Sequence, residues 1–313
     1  MLRAVATAQP GIFALGTMSH AYLELDKRQG ADQRELVGLV ASLREPRTTI
    51  GGVNLVAGFR PELWESVAPG TAPAQLTGLT QPVVGPGGYT LPATQHDVVI
   101  WLTGASYDVV FDVSRGVVSA LSSLATLAHE MVGWPYHRDL DLTGFIDGTE
   151  NPTLVDAAKA AIVESGVPGE GGSVLLLQQW EHDAMQWDAL PVAQQESVIG
   201  RRKADGEELD PKPKTSHVAR TDQDEFGKIF RRNIAYGTLT RHGTIFVGFS
   251  ADRARLDAML DSMIGRGGAP ADRLTAFAHA LTGAYYFVPS IEALAALAAA
   301  DQRALNDQRA LTT

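Results

Sequence analysis

Three clusters of residues could do chemistry. The segment Gly144-Phe-Ile-Asp147-Gly148-Thr-Glu-Asn-Pro152 sets one carboxylate between glycines, beside aromatic and aliphatic side chains. Glycine lets backbone approach a ligand closely. Apolar neighbours would strip water from Asp147 and suit it to proton transfer. The plain alternative is an Asp-Gly hairpin turn. Arg231 and Asn233 lie two apart, so in a strand they would share a face. A guanidinium there is always charged and can stabilise negative charge developing on an oxygen. The alternative is a pair of basic residues on an exposed strand, a reading that suits Arg232 better than Arg231. His137, Asp139 and Asp141 alternate and could chelate a divalent ion, but metal sites usually need further ligands and supporting hydrogen bonds, which favours a solvated loop.

The bulk composition removes many other chemistries. The 313 residues contain no cysteine. Thiolate nucleophiles, iron–sulfur clusters, thiolate-ligated haem and Cys-x-x-Cys-His haem attachment are excluded. The net charge of -10 argues against nucleic acid or an anionic membrane as partner. No stretch approaches the roughly 18 apolar residues of a membrane helix. The start, MLRAVATAQPGIFALG, has no long apolar run before a small-residue cleavage site and no twin arginine, so a cytoplasmic protein is expected. Gly265-Arg-Gly-Gly and Gly169-Glu-Gly-Gly lack the spacing of a dinucleotide fingerprint.

The elements that must position these groups alternate along the chain. Ala21–Leu25, Val53–Gly58 and Val98–Leu102 read as strands, with a helix at Asp32–Leu43 between the first two. Val117–Val132 carries an apolar stripe at helical spacing and is expected to be a helix. A loop with Gly, Pro and alternating charge follows. Ser173–Gln179 and Gly243–Phe249 are strands, Leu190-Pro191 opens a helix, and Ala204–Lys214 is an exposed loop leading to His217. Ser250 could cap a helix at Arg253–Ile264, with Gly265 just beyond it. Pro270–Leu281 is expected as a further helix, then a strand at Ala284–Val288. Ala293–Thr313 is helical at first and frayed at its end. This fits an α+β fold of two antiparallel-sheet modules, residues 1–135 and 136–313.

Tyr136-His-Arg-Asp-Leu-Asp-Leu-Thr-Gly-Phe-Ile-Asp-Gly-Thr-Glu-Asn-Pro resembles the signature of dye-decolourising peroxidases, whose Gly-x-x-Asp-Gly motif is matched by Gly144, Asp147 and Gly148. The resemblance continues at Gln178–Trp187, Val198–Arg201, Ser216-His217, Arg231–Asn233 and Gly283–Pro289, and the compact length is similar to the short bacterial subgroup. It implies two ferredoxin-like modules, with one non-covalent haem b in the C-terminal module. It implies His217 as the iron ligand, the only metal ligand expected, with Asp272 as its acidic partner. Asp147, Arg231 and Asn233 would act on hydrogen peroxide. Gly148, Phe246 and Arg201 would contact the cofactor, Arg201 through a propionate. Dyes, phenols and similar aromatic molecules would be the electron donors. Trp180, Trp187, Tyr136 and Tyr236 are candidate electron carriers, with core packing as the plainer reading. The resemblance also implies a homo-oligomer. A haem-processing enzyme, such as a deferrochelatase, and a non-catalytic haem carrier are the alternatives. The tail beyond residue 300 shows no apolar motif for docking into a protein nanocompartment.

Overall fold

The computed structural model describes residues 6–43 and 52–299. The first part holds β1 (Ser19–Lys27), α1 (Gln33–Ser42), β2 (Asn54–Phe59), α2 (Pro61–Val67), a small hairpin of β3 (Val83–Val84) and β4 (Thr90–Leu91), β5 (Val98–Gly104), α3 (Tyr107–Leu121) and β6 (Ala125–Trp134). The second part holds α4 (Leu154–Ala161), β7 (Ser173–His182), α5 (Ala184–Asp188), α6 (Val192–Ile199), α7 (His217–Arg220) and α8 (Gln223–Phe226). It continues with β8 (Phe230–Arg231), β9 (Ile234–Gly237), β10 (His242–Ser250), α9 (Arg253–Met263), β11 (Ala278–Ala280) and β12 (Ala284–Val288). Residues 291–299 are helical, and the expected frayed tail lies outside the described residues.

Apart from the β3–β4 hairpin, the described strands form one antiparallel sheet that closes on itself. Its order is β2-β5-β1-β6-β9-β10, then β7 and β12, and β12 returns to β2 through Phe287 and Phe59. Closure removes free edges along this ring. Three of the four core clusters follow from strand alternation. Ala21, Leu23 and Leu25 face outward to α1 and α3. Tyr22, Val99, Trp101, Leu175, Val247 and Tyr286 fill the ring's interior. Leu176, Trp180, Leu256, Met259, Leu260 and Tyr285 pack between the outer face of β7 and β12 and helix α9. Each large side chain buried this way contributes about 1.5–3 kcal/mol. Among the described residues no helix is long and apolar enough to cross a membrane.

Two expected helices are corrected. Residues 125–134 are strand β6, paired to β1 from His20↔Gly133 to Lys27↔Ala125. The preceding helix α3 runs earlier, burying Val110, Ser114, Val117 and Leu121, and stops where the Ser122 hydroxyl bonds back to the Ser119 carbonyl. Ala, Leu, Glu and Met in residues 125–131 favour helix locally, but the ladder with β1 outweighs that preference. At 270–281 there is only a short turn, Arg273–Ala276, followed by β11 on the edge of β7. Asp272 caps that short turn with one oxygen, on the Leu274 N–H, and reaches His217 with the other. The cap of α9 is Asp252, which accepts from Ala254 N–H; Ser250 bonds to Asp252 instead.

Candidate active site

Between α9, the outer face of β7 and β10, and the loop 141–150 lies a cavity of about 1230 Å3 of atom-free space, partly open to solvent. Leu256, Met259, Leu260 and Met263 of α9 make one apolar wall, and Ile199, Val218, Leu274 and Phe246 contribute others. Asp147, Arg201, His217, Arg231 and Asn233 all line it. Sequence reasoning therefore gathered residues from 147 to 246 that the fold brings to one place.

His217 is the first residue of α7, a single turn capped by the Ser216 hydroxyl. Gly200 ends α6 in the left-handed region (φ +96) and lets this turn approach; a Cβ there would meet Ser216 Oγ at 2.6 Å. The His217 ring is held by Asp272, with Nδ1 and Oδ2 2.7 Å apart. Asp272 is 1% exposed, and its other oxygen accepts the Leu274 N–H at 2.8 Å. The two turns are also tied through backbone, Arg273 N–H to Thr215 O at 2.9 Å. Burial alone would lower the His217 pKa, but the Asp272 carboxylate outweighs it and the net shift is upward. Because Nδ1 is engaged, Nε2 is the ring nitrogen left for a ligand. A second histidine, His182, lines the same cavity, but its Nε2 lies 3.2 Å from the Thr244 hydroxyl. Burial pushes its pKa down to about 4.

The other chemical groups are held more loosely. Asp147 follows the tight loop in which its own N–H bonds Asp139 O at 2.7 Å. Its Oδ1 accepts Gly148 N–H at 2.7 Å and the Asn233 amide at 3.4 Å, and lies 3.8 Å from an Arg231 nitrogen. These donors, rather than the apolar neighbours expected, are its immediate contacts. Asn233 Oδ1 accepts Val247 N–H at 3.3 Å, which orients its amide toward Asp147. Asn233 lies just beyond β8, so the shared side of Arg231 and Asn233 comes from the bend rather than from one strand. Gly148 lies in an adjoining cleft with Asp147, Arg231 and Asn233, not in the main cavity lining. Arg201 contributes to the cavity but already pairs with Glu150 at 3.0 Å and Glu208 at 2.8 Å. Phe246 lines the cavity, and Asp272 stands behind His217 rather than in the lining.

Sequence reasoning missed Asn151 and misread Asp141 and Arg232. Asn151 holds Arg231 by both ends of its amide, accepting Arg231 N–H at 2.8 Å and donating to Arg231 O at 2.9 Å. Its place directly after the Asp147 motif was the available signal. Asp141 lines the cavity near Asp147, accepts the Thr143 N–H at 2.6 Å and also takes the Thr143 hydroxyl. Burial, then the neighbouring Asp147 charge, pushes its carboxyl up to about 6. It forms no metal cluster with His137 and Asp139; among the described residues no group of three such ligands exists. Arg232, expected as the exposed neighbour of Arg231, is 8% exposed. Its guanidinium lies over Trp101 at 5.1 Å and donates to Ile12 O at 2.7 Å.

The cavity suits a largely apolar group that bears acceptors, and His217 Nε2 is a nitrogen that could ligate a metal in it. Apolar walls would cover such a group. Buried Arg201 Nε, Arg231 Nε and Gln178 Nε2 have no partner, although buried donors are normally satisfied. They are available to an acceptor-bearing ligand.

Comparison with known proteins agrees. Residues 138–293 match the model of the Dyp-type peroxidase C-terminal family. The dye-decolorizing peroxidase of Mycolicibacterium paratuberculosis is 33% identical over 273 residues, which is 83% of this chain and 76% of that protein. The chain belongs to the dye-decolorizing peroxidase family. The Rhodococcus erythropolis dye-decolorizing peroxidase is 35% identical over 260 residues, 79% of this chain and 75% of that protein. Among solved structures, a putative Dyp-type peroxidase of Shewanella oneidensis has a TM-score of 0.83 at 30% identity, covering 93% of this chain and 98% of that one. A variant of Rhodococcus jostii RHA1 DypB, solved in complex with haem, has a TM-score of 0.81 at 34% identity, covering 89% and 94%. A dye-decolorizing peroxidase is an oxidoreductase that consumes peroxide.

Proposed function

We propose that His217 holds a haem b in this cavity and that Asp147, Arg231 and Asn233 act on hydrogen peroxide. The carrying observation is the 2.7 Å pair of His217 Nδ1 and Asp272, which leaves Nε2 free in a cavity shared with those three residues. A fixed acceptor on the far nitrogen sets the tautomer and raises donor strength. Haem bound there would supply a redox-active iron for the reduction of peroxide.

The chain's own residues then divide the work. Asp147 as carboxylate, or a water it orients, carries a proton from one peroxide oxygen to the other. Asn233 steadies that carboxylate through its amide. Arg231 meets the negative charge that develops as the oxygen–oxygen bond breaks. Arg231 Nε and Arg201 Nε supply donors to anionic groups on the cofactor. Gly148 acts one step back, through its N–H on Asp147. Phe246 and the α9 side chains exclude water. Dyes, phenols and similar aromatic donors are the reductants in this reading.

Two ferredoxin-like modules, split at 135/136, belong to the same reading. Support comes from strand order: β2-β5-β1-β6 and β9-β10-β7-β12 each follow the order of that fold. A homo-oligomer in the cytoplasm completes it.

The test is rapid mixing of haem-loaded protein with peroxide, followed in the Soret band. The parent is expected to react and then oxidise a phenol. Arg231→Leu is expected to keep haem and react about 10²–10³-fold more slowly. Equal rates in parent and variant would remove Arg231 from the assignment.

A further inference from the structure

With haem in the cavity, a donor too bulky to enter would have to pass its electrons through protein. The tyrosines are unequal candidates for carrying them. A phenol gives up an electron readily near neutral pH only when its proton has somewhere to go. Of the seven tyrosines, Tyr285 and Tyr286 donate their hydroxyls to carboxylates. Tyr286 gives its proton bond to Glu24 inside the sealed ring, where both side chains are about 1% exposed or less. Tyr285 faces the other way.

Tyr285 stands opposite Leu176 in the β7–β12 ladder and packs in the same cluster as Leu256 and Met259. Those three residues line the cavity. The ring itself is 0% exposed, one side-chain layer from the cavity. Its hydroxyl donates at 2.8 Å to Asp257 Oδ1. Asp257, by contrast, has a side chain 43% exposed, and its other oxygen pairs with Arg253 Nε at 2.9 Å. The Arg253 guanidinium also covers the Tyr285 ring at 4.3 Å. Burial, then the Asp257 charge, holds this phenol well above the usual range, so it does not ionise on its own. The plain reading is a buried tyrosine with a satisfied hydroxyl. What favours more is that one end of the pair abuts the cavity wall while the other reaches solvent.

We propose that Tyr285 and Asp257 form a proton-coupled electron relay between the cavity and reductants at the surface beside α9, a role that rests on haem occupying the cavity. An electron leaves the Tyr285 ring for the peroxide-oxidised cofactor, which is thereby reduced by one electron. The phenol O–H bond breaks and its proton passes to Asp257 Oδ1. A neutral tyrosyl radical and a protonated Asp257 result. An aromatic donor at the surface then gives one electron to the radical, Asp257 returns the proton to the phenol oxygen, and the donor releases its own proton to water. Two rounds return the enzyme to its resting state. Trp187, weighed earlier as a carrier, donates its indole N–H to the Thr143 carbonyl, which is a poor base.

Freeze-quenched electron paramagnetic resonance on haem-loaded protein after peroxide tests the relay. The expected result is a radical signal whose hyperfine pattern changes when the tyrosines are ring-deuterated. It is lost in Tyr285→Phe and kept in Tyr286→Phe. Asp257→Asn is expected to slow its appearance about 10²-fold, the lower end of what a positioned base contributes. Dye turnover should fall in both Tyr285→Phe and Asp257→Asn. An unchanged signal and unchanged dye turnover in Tyr285→Phe would overturn the relay. The Soret band of the same samples reads the haem assignment separately. A parent that binds haem, reacts with peroxide and gives no tyrosyl signal overturns the relay alone.

Discussion

Asp272 takes the His217 ring on one oxygen at 2.7 Å and the Leu274 N–H on the other at 2.8 Å. Glu24 takes the Tyr286 hydroxyl on one oxygen at 2.5 Å, and its second oxygen is buried with no partner. Both carboxylates are about 1% exposed. Burial is thus the same, and the second oxygen makes the difference. An unpaired buried carboxylate oxygen penalises the charged form. Burial pushes the Glu24 carboxyl up to about 7 against the opposing hydrogen bond from Tyr286. In the cavity the charge balance runs the other way, and Asp272 raises the affinity of His217 for a proton. One ring–carboxylate pair is built to present a strong nitrogen donor. The other plugs the interior of the ring of strands and works best neutral.

Asp272→Asn should break the first pair most visibly. It keeps the shape but removes the charge and can present the wrong atom to Nδ1. Haem affinity or peroxide activity is expected to fall about 10–100-fold, the usual cost of losing a partner behind a metal ligand. Haem titration followed at the Soret band checks it. Tyr286→Phe comes next. It leaves the paired Glu24 oxygen without its donor, and a chemical unfolding curve should show a loss of about 1–3 kcal/mol. Because its hydroxyl lies outside the cavity, haem affinity should hold.

Glu24→Gln has the smallest effect and the most diagnostic form. The folded pKa of Glu24 is raised from 4.5 to about 7. The folded chain therefore holds this proton more tightly than the unfolded chain. Its stabilising contribution is complete below the unfolded value and is lost as pH rises through about 7. The parent melting temperature should drop across that window, and Glu24→Gln should flatten the drop. A parallel fall in both proteins would mean that Glu24 is not the titrating group.

The chemistry of the site was more legible than the packing around it. Asp147, His217 and Arg231 were singled out by the motif resemblance; residue type alone left a hairpin turn open for Asp147 and made His217 one of eight histidines. Strands β1, β2 and β5 were legible because short apolar runs suit strands buried on both faces. Strand β6 was not, since its helix-favouring residues are overruled by a ladder to β1 that begins about a hundred residues earlier in the chain. Nothing local marks the tie of Asp272 to His217, since the two stand 55 residues apart in the chain. Arg232 looked exposed because its partners, Trp101 and the carbonyls near Ile12, come from the first half of the chain. Nothing local marks Glu24 as the partner of Tyr286. Long-range pairing decided each of these positions.

The most direct test is haem titration of His217→Ala beside the parent, with and without added imidazole. The parent should bind one haem with a sharp Soret band. The variant should lose the band or bind haem weakly, and imidazole should restore a parent-like spectrum by supplying the missing nitrogen. A variant that binds haem as tightly as the parent, with the same spectrum and no response to imidazole, would contradict His217 as the ligand.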